Sequence, residues 1–341
     1  MSPEYKYPKP EKDEEGYENW GPPRDMEMKC STQEEPVTEK INTDIGEVAA
    51  LNFYGGKHSK YSEFHEEKRE NHDSLAVFED KRYVYMIVID GMGGHEKAGE
   101  FSEELTHTLK EELKSEKGPI FSLNQVFSKV QKEMEEFPSE EAGAVVTTTM
   151  IDKESNTAEI ANLGDSRSAI ISENGEIKAA SEIQTVAAMA YENKHDEKLN
   201  LITREFINKF LPSNKFNLTN NATLGEIDSR KDSGLHQKTN ELDLDRISVE
   251  SGDFVILGSD GIINEAVTVS EIAKEIQNNP DQSADELRDK IYQKMKEKLQ
   301  KVNEEGKEEI TTIDEEGEEM KIPAKYAKYA DNMSLIVLKK D

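Results

Sequence analysis

Two apolar runs of this chain stop on an aspartate that is followed at once by glycine. "RYVYMIVID" ends on Asp90 before Gly91, and "DFVILGSDG" carries Asp260 before Gly261. Asp331 opens a third run, "DNMSLIVLKK", and Asp73 opens "DSLAVFED". A single aspartate at a strand end is ordinarily a turn former. Four around buried strands raise a different question, because carboxylates that converge repel by ~4 kcal/mol per pair at about 4 Å and an effective dielectric of about 20. Bound cations or raised carboxyl pKa values make such a cluster tolerable. An all-oxygen ligand set points to hard ions, Mg²⁺ or Mn²⁺, rather than zinc. Spacing alone does not show that the four converge.

Competing chemistries fare worse. "GMGGHEKAG" follows a strand and precedes a helix, the context of a dinucleotide fingerprint, but Glu96 stands where the last glycine of G-x-G-x-x-G belongs. A carboxylate there repels a pyrophosphate. The Gly94-to-Gly99 spacing of a phosphate-binding P-loop is followed by Glu100 and Phe101 instead of Lys and Ser/Thr. Ser166 in "GDSRS" lacks the second glycine of a nucleophile elbow, and a turn between strands accounts for it more cheaply. His58, His65 and His72 are spaced too widely for the usual zinc-ligand pattern and lie in a polar segment.

Composition narrows the partners. The 341 residues carry 43 Lys+Arg against 72 Asp+Glu, a net charge of -29. Polyanions reward Lys/Arg density, so nucleic acid and anionic membrane are excluded as main partners. Only 34% of residues are hydrophobic, which leaves part of the chain to loop or tail. Cys30 is the single cysteine, so no internal disulfide framework exists, as suits a reducing compartment. The first residues lack the apolar stretch of a secretory signal, and nothing approaches the ~18 apolar residues of a membrane span. A cytoplasmic protein is expected, or one exported without a cleavable signal into a host cytoplasm, and a monomer.

The elements that must carry these residues are readable from periodicity. Residues 1–45, rich in Pro, Glu and Lys, are expected to form a mobile arm, and residues 46–341 the folded domain. "DSLAVFED" and "RYVYMIVID" form a hairpin. Ala98, Phe101, Leu105, Leu109 and Leu113 mark one amphipathic helix, and Leu123, Val126, Phe127, Val130, Met134 and Phe137 a second. "AVVTTTMI", "TAEIANLG", "SRSAIIS" and "EIKAAS" are strands separated by polar turns, one of them Asn174-Gly175. "LITREFINKFL" fits a helix within the weakly patterned stretch 181–245. Thr268 and Glu271 have capping-box spacing ahead of "EIAKEI". Ala284, Leu287, Ile291, Met295 and Leu299 make a last helix face, and residues 303–326 contain an acidic hairpin insertion. Hairpins dominate and helices fall between groups of strands, which predicts antiparallel sheets covered by helices, an α+β class, rather than a doubly wound parallel sheet.

Taken in order, "VIDGMGGHEKAGEFS", "ANLGDSRSAII", "DFVILGSDGIINEA" and "DNMSLIVL" resemble the metal-dependent type 2C protein serine/threonine phosphatases, the PPM family, and among them the bacterial type. "RENHDS" is similar to that family's first motif and "AVVTTTMI" to its Thr-Thr strand. The resemblance spans roughly residues 46–341. It implies a four-layer α/β sandwich, two mainly antiparallel sheets flanked by helices, with two Mg²⁺ or Mn²⁺ ions at one edge. Asp90 would bridge both ions, and Gly91 would offer its carbonyl to one of them, which an unsubstituted residue does easily. Asp260 and Asp331 would complete the other ion's shell, with Asp73 binding metal-held water. A water bridging the ions would then attack phosphoserine or phosphothreonine of a protein substrate, with no phosphoenzyme and no cysteine nucleophile.

Several positions depart from the family pattern. Lys68, with Arg69 beside it, stands where the family carries its phosphate-binding Arg, and Lys lacks the bidentate fork. His72 replaces a Glu that ligates metal in some members and is read as facing a water shell. Met92 stands at the general-acid His of the eukaryotic type, as in bacterial members, and His95 follows nearby. Ile183 replaces an Asp linked to a third metal, and residues 181–245 would be a divergent flap. The resemblance thus implies an active phosphatase, with a non-catalytic, partner-binding pseudophosphatase as the alternative.

Overall fold

Strands β4 (Asp73–Glu79) and β5 (Tyr83–Gly91) are buried along nearly their whole length, so they read as apolar runs rather than as clean alternations. The reason is that both faces of their sheet are covered. The computed structural model describes residues 25–29, 36–53, 71–91, 97–115, 123, 126–127, 129–130, 143–181, 247–263, 267–305, 309–313, 319–323 and 332–341. In one six-stranded sheet, β4 and β5 continue through β6 (Ala144–Asp152) and β7 (Thr157–Leu163), with β1 (Asp25–Met28) and β10 (Ile247–Ser248) as edges, in the order β1-β4-β5-β6-β7-β10. The second sheet has the order β2-β3-β14-β11-β8-β9. Its strands are β2 (Val37–Thr43), β3 (Gly46–Phe53), β8 (Arg167–Ile171), β9 (Ile177–Ala180), β11 (Phe254–Gly258) and β14 (Met333–Lys340). Neighbouring strands in both sheets pair antiparallel.

Three apolar layers hold the sandwich together. Between the sheets, Leu75, Val77, Met86 and Val88 meet Val255, Leu257, Ile336 and Leu338. On the outer face of the first sheet lies helix α1 (Ala98–Ser115), whose Phe101, Leu105, Leu109 and Leu113 pack on Ile87, Ile89 and Val146. Each of these side chains contributes about 1.5–3 kcal/mol relative to exposure, as an upper estimate. Leu123, Val126, Phe127 and Val130, helical and buried, join the same layer; Met134 and Phe137 lie outside the described residues. On the other side, α2 (Val269–Asn278) and α3 (Ala284–Glu305) cover the second sheet through Ile272, Ile276, Leu287 and Ile291. The result is the expected four-layer arrangement of two antiparallel sheets flanked by helices.

The predicted capping box is present: Thr268 Oγ1 accepts from Glu271 N at 3.2 Å, and Glu271 Oε2 accepts from Thr268 N at 2.9 Å. Thr268→Ala is expected to cost about 1 kcal/mol. A urea unfolding curve whose midpoint falls while its slope is unchanged would show it; an unmoved midpoint would show that the cap contributes nothing.

Within the stretch expected to be a mobile arm, the described residues Asp25–Met28 and Val37–Thr43 form β1 and β2 and are built into the sheets. In β1 the sequence Asp-Met-Glu-Met alternates: Met26 and Met28 enter the core between the sheets. Asp25 and Glu27 turn outward to the Lys110 ammonium at 2.8 and 2.9 Å, and Asp25 also reaches Lys114 at 3.0 Å. Four residues are too few for a period to stand out. Strand β2 is an exposed edge with little apolar content, so it carries almost no hydrophobic signal. The acidic insertion contains a separate two-stranded hairpin, β12 (Glu309–Ile313) and β13 (Glu319–Pro323). The helix expected at "LITREFINKFL" falls outside the described residues. Among the described residues, no helix is long and apolar enough to cross a membrane.

Candidate metal and active site

Strand parity decides where the carboxylates go. Val84, Met86 and Val88 face the space between the sheets, so Asp90, two residues on, faces it too. Leu75 and Val77 face the same space, which gives Asp73 the same side. Asp73 and Asp90 are register partners across β4 and β5, and Asp73 is completely buried. Like charges directly opposite each other in a sheet are destabilising, so this pairing is not a packing choice.

Two further carboxylates arrive from the turns of other strands. Asp260 follows β11 in a tight turn in which Ile262 N and Ile263 N both donate to Ser259 O, at 3.2 and 3.0 Å. Asp165 lies between β7 and β8. Gly164 before it has φ +112°, and a β-carbon there would meet Val145 Cγ1 at 2.2 Å, so only glycine makes this turn. Asn162 Nδ2 donates to Gly164 O at 3.0 Å and holds the turn from within. The hydroxyls of Thr149 on β6 and Ser168 on β8 lie 2.7 Å apart, a polar tie between the two sheets.

Together these turns place one carboxylate oxygen each from Asp90, Asp165 and Asp260 within 4.8 Å of one another. Asp165 is 3% and Asp260 6% exposed, so bulk water does little to screen them. At that separation each pair repels by roughly 3.5 kcal/mol for an effective dielectric of about 20. The arrangement can hold a hard cation. Asp73 sits beneath as the register partner of Asp90, its backbone N–H donating to Asn71 Oδ1 at 2.9 Å and its carbonyl accepting from Asn52 Nδ2 at 3.1 Å.

Gly91 is buried, and its lack of a side chain has a steric reason beyond a free carbonyl. A β-carbon there would meet Ala98 O and His72 O, both at 2.7 Å. Helix α1 and the residue before Asp73 are thereby drawn against the end of β5. His72 is half-buried, and its N–H donates to Asn332 Oδ1 at 3.1 Å. Asp331 precedes that asparagine and itself lies outside the described residues, as do Lys68, Arg69, Met92, His95 and Ile183.

The residue that sequence reasoning passed over is Asp165. Its local sequence marks only a turn, although the "GDSR" string is among the pieces that carry the family resemblance. Nothing local in a Gly-Asp-Ser turn reveals that each sheet supplies one more carboxylate, Asp90 from the end of β5 and Asp260 from the turn after β11. Arg167, two residues on, is 4% exposed, and burial pulls its guanidinium down to about 10, still a cation at neutral pH.

Comparison with known proteins bears on the family and the fold. The family model described as Protein phosphatase 2C matches residues 65–302. Solved structures of similar architecture include RsbX in complex with magnesium, at 11% identity and TM-score 0.51, covering 89% of this chain and 100% of that one. The S. agalactiae serine/threonine phosphatase has 16% identity and TM-score 0.53, with coverage of 89% and 100%. The Mycobacterium tuberculosis phosphatase PstP has 18% identity and TM-score 0.52, with coverage of 86% and 97%; a PstP catalytic domain has also been solved with two manganese ions. No curated protein sequence gives a significant match. The match over residues 65–302, on this sandwich, places the chain in the protein phosphatase 2C family, a family of protein serine/threonine phosphatases.

Proposed function

We propose that this chain hydrolyses phosphoserine and phosphothreonine in protein substrates, with two Mg²⁺ or Mn²⁺ ions held at the edge of the sandwich. The observation that carries the reading is the set of half-buried Asp90 with buried Asp165 and Asp260, whose oxygens lie within 4.8 Å of one another. Its donor chemistry fits the ions: three carboxylates, all oxygen, are what Mg²⁺ and Mn²⁺ prefer. A pseudophosphatase that only binds a partner has no use for that mutual repulsion, so hydrolysis is the favoured reading.

Asp90, Asp165 and Asp260 would hold the ions, with Asp331 and the Gly91 carbonyl as further donors. Bound there, the ions supply charge neutralisation at the phosphoryl oxygens and an acidified water. Asp73, buried behind Asp90, orients the site by accepting hydrogen bonds from water at its floor. Lys68 and Arg69 are proposed to hold the phosphoryl group; with Lys68 in the clamp position, phosphate is met by a point charge rather than a fork.

The test is hydrolysis of a phosphothreonine peptide by the full chain. Turnover is expected with Mn²⁺, loss to background in EDTA, and recovery when excess Mn²⁺ is returned. Turnover that survives EDTA would reject the metal-dependent mechanism, and no turnover with Mn²⁺ would leave the chain a binder.

A further inference from the structure

The backbone of His72 is a junction between three distant parts of the chain. Its carbonyl accepts from Gly91 N at 3.1 Å and from Ser102 Oγ at 2.6 Å, while its N–H donates to Asn332 Oδ1 at 3.1 Å. The end of β5 one residue past Asp90, the body of α1 and the residue just before β14, one past Asp331, therefore meet at the two amides on either side of one residue. The next residue is Asp73.

Ser102 is the member of this junction with the least local reason to be there. It is completely buried in a helix whose inward positions are otherwise apolar apart from Thr106 and Lys110, and alanine would suit both the helix and the packing better. A serine within a helix commonly satisfies its hydroxyl by bonding back to its own preceding turn. That alternative exists here, Gly99 O at 3.0 Å, yet the shorter contact is the one to His72 O. Ser102 also reaches the other side of Asp73: its carbonyl accepts from Ser74 Oγ at 2.8 Å and from Thr106 Oγ1 at 2.8 Å. Both residues flanking Asp73 are gripped by one helical residue.

We infer that Ser102 is a positioning residue for the metal-holding carboxylates: by fixing the His72 carbonyl against Gly91 N, it sets how Asp73 and Asp90 stand relative to each other. It touches neither ion nor substrate. The inference rests on the reading that these carboxylates hold Mg²⁺ or Mn²⁺. Partners that orient metal ligands from behind typically change affinity 10- to 100-fold when removed, and a single neutral hydrogen bond belongs at the lower end.

The experiment is a Mn²⁺ titration of the full chain by calorimetry, alongside its thermal midpoint in EDTA. Ser102→Ala is expected to raise the Mn²⁺ dissociation constant about tenfold. Ser102→Cys, a similar size with a weaker donor, is expected to fall between it and the wild type. Thr106→Val serves as the comparison: it keeps the shape and removes a hydroxyl from the same network one turn farther from His72. It is expected to lower the metal-free midpoint while leaving the Mn²⁺ dissociation constant within about twofold of wild type, since no bond to His72 is lost. Wild-type affinity in both Ser102 variants, or equal weakening by Thr106→Val, would overturn the positioning role and leave the metal site standing. A wild type that binds no Mn²⁺ would remove the metal site and this inference together.

Discussion

Asp90→Asn is expected to lower Mn²⁺-dependent hydrolysis of a phosphothreonine peptide by roughly a thousandfold, while the metal-free protein becomes no less stable than the wild type. The two effects have one cause. Asp90 belongs to the set of three carboxylates within 4.8 Å and is also the register partner of the fully buried Asp73. A metal centre supplies several kcal/mol of transition-state stabilisation, and at about 1.4 kcal/mol per tenfold a loss of this kind amounts to some three orders of magnitude. In EDTA the balance reverses, because neutralising one charge relieves repulsion of roughly 3.5 kcal/mol per neighbouring carboxylate at that distance. Part of the relief is offset, since the amide N–H that replaces a carboxylate oxygen must donate to neighbours whose positions suit a shared cation rather than a hydrogen bond. Activity and the thermal midpoint, each with Mn²⁺ and with EDTA, provide the check. The wild type gains midpoint on adding Mn²⁺ through linkage, and the variant should gain much less. A variant that retains turnover, or that melts well below wild type in EDTA, would mean that Asp90 is a structural residue.

Gly91→Ala is expected to have the largest effect on stability, at about 2–3 kcal/mol, although it adds a single methyl group. The new β-carbon would meet Ala98 O and His72 O at 2.7 Å each. Both are backbone atoms, so no rotamer change gives way. Either the first turn of α1 moves outward or the strand start carrying Asp73 does. The second movement also stretches the 3.1 Å bond from Gly91 N to His72 O. Urea unfolding in EDTA measures the loss without any contribution from bound metal, and a Mn²⁺ titration of the same variant should show weakened binding. A midpoint within experimental error of wild type would show that the crowding at Gly91 relaxes at no cost.

Much of the sandwich was legible because its elements bury long periodic faces. The α1 residues Phe101, Leu105, Leu109 and Leu113 recur at helical spacing and pack on one sheet face, so local pattern and tertiary role coincide. The β4–β5 hairpin and the Thr268 capping box were legible for the same reason, since each is specified within a few neighbouring residues. Strands β1 and β2 were not. Met26 and Met28 become core residues only because β4 provides a free edge with Lys110 nearby to receive Asp25 and Glu27, and none of this is local in sequence.

The site divides along the same line. From the sequence came the β4–β5 hairpin with an aspartate at the outer end of each strand; the register that makes Asp73 and Asp90 partners on one face follows from it, because a slip of one residue would turn an apolar face to water. The same patterning puts Asp260 after a buried strand and before a turn. That Asp165 and Asp260 meet Asp90 emerges only once the two sheets are stacked. That meeting depends on how two sheets stack, through a core of residues such as Val88, Leu257 and Ile336 and a polar tie from Thr149 to Ser168. Sheet stacking is set by the summed packing of many side chains, none of which announces it alone. A three-residue turn around Asp165 is therefore silent about its chemistry until the opposite sheet is in place.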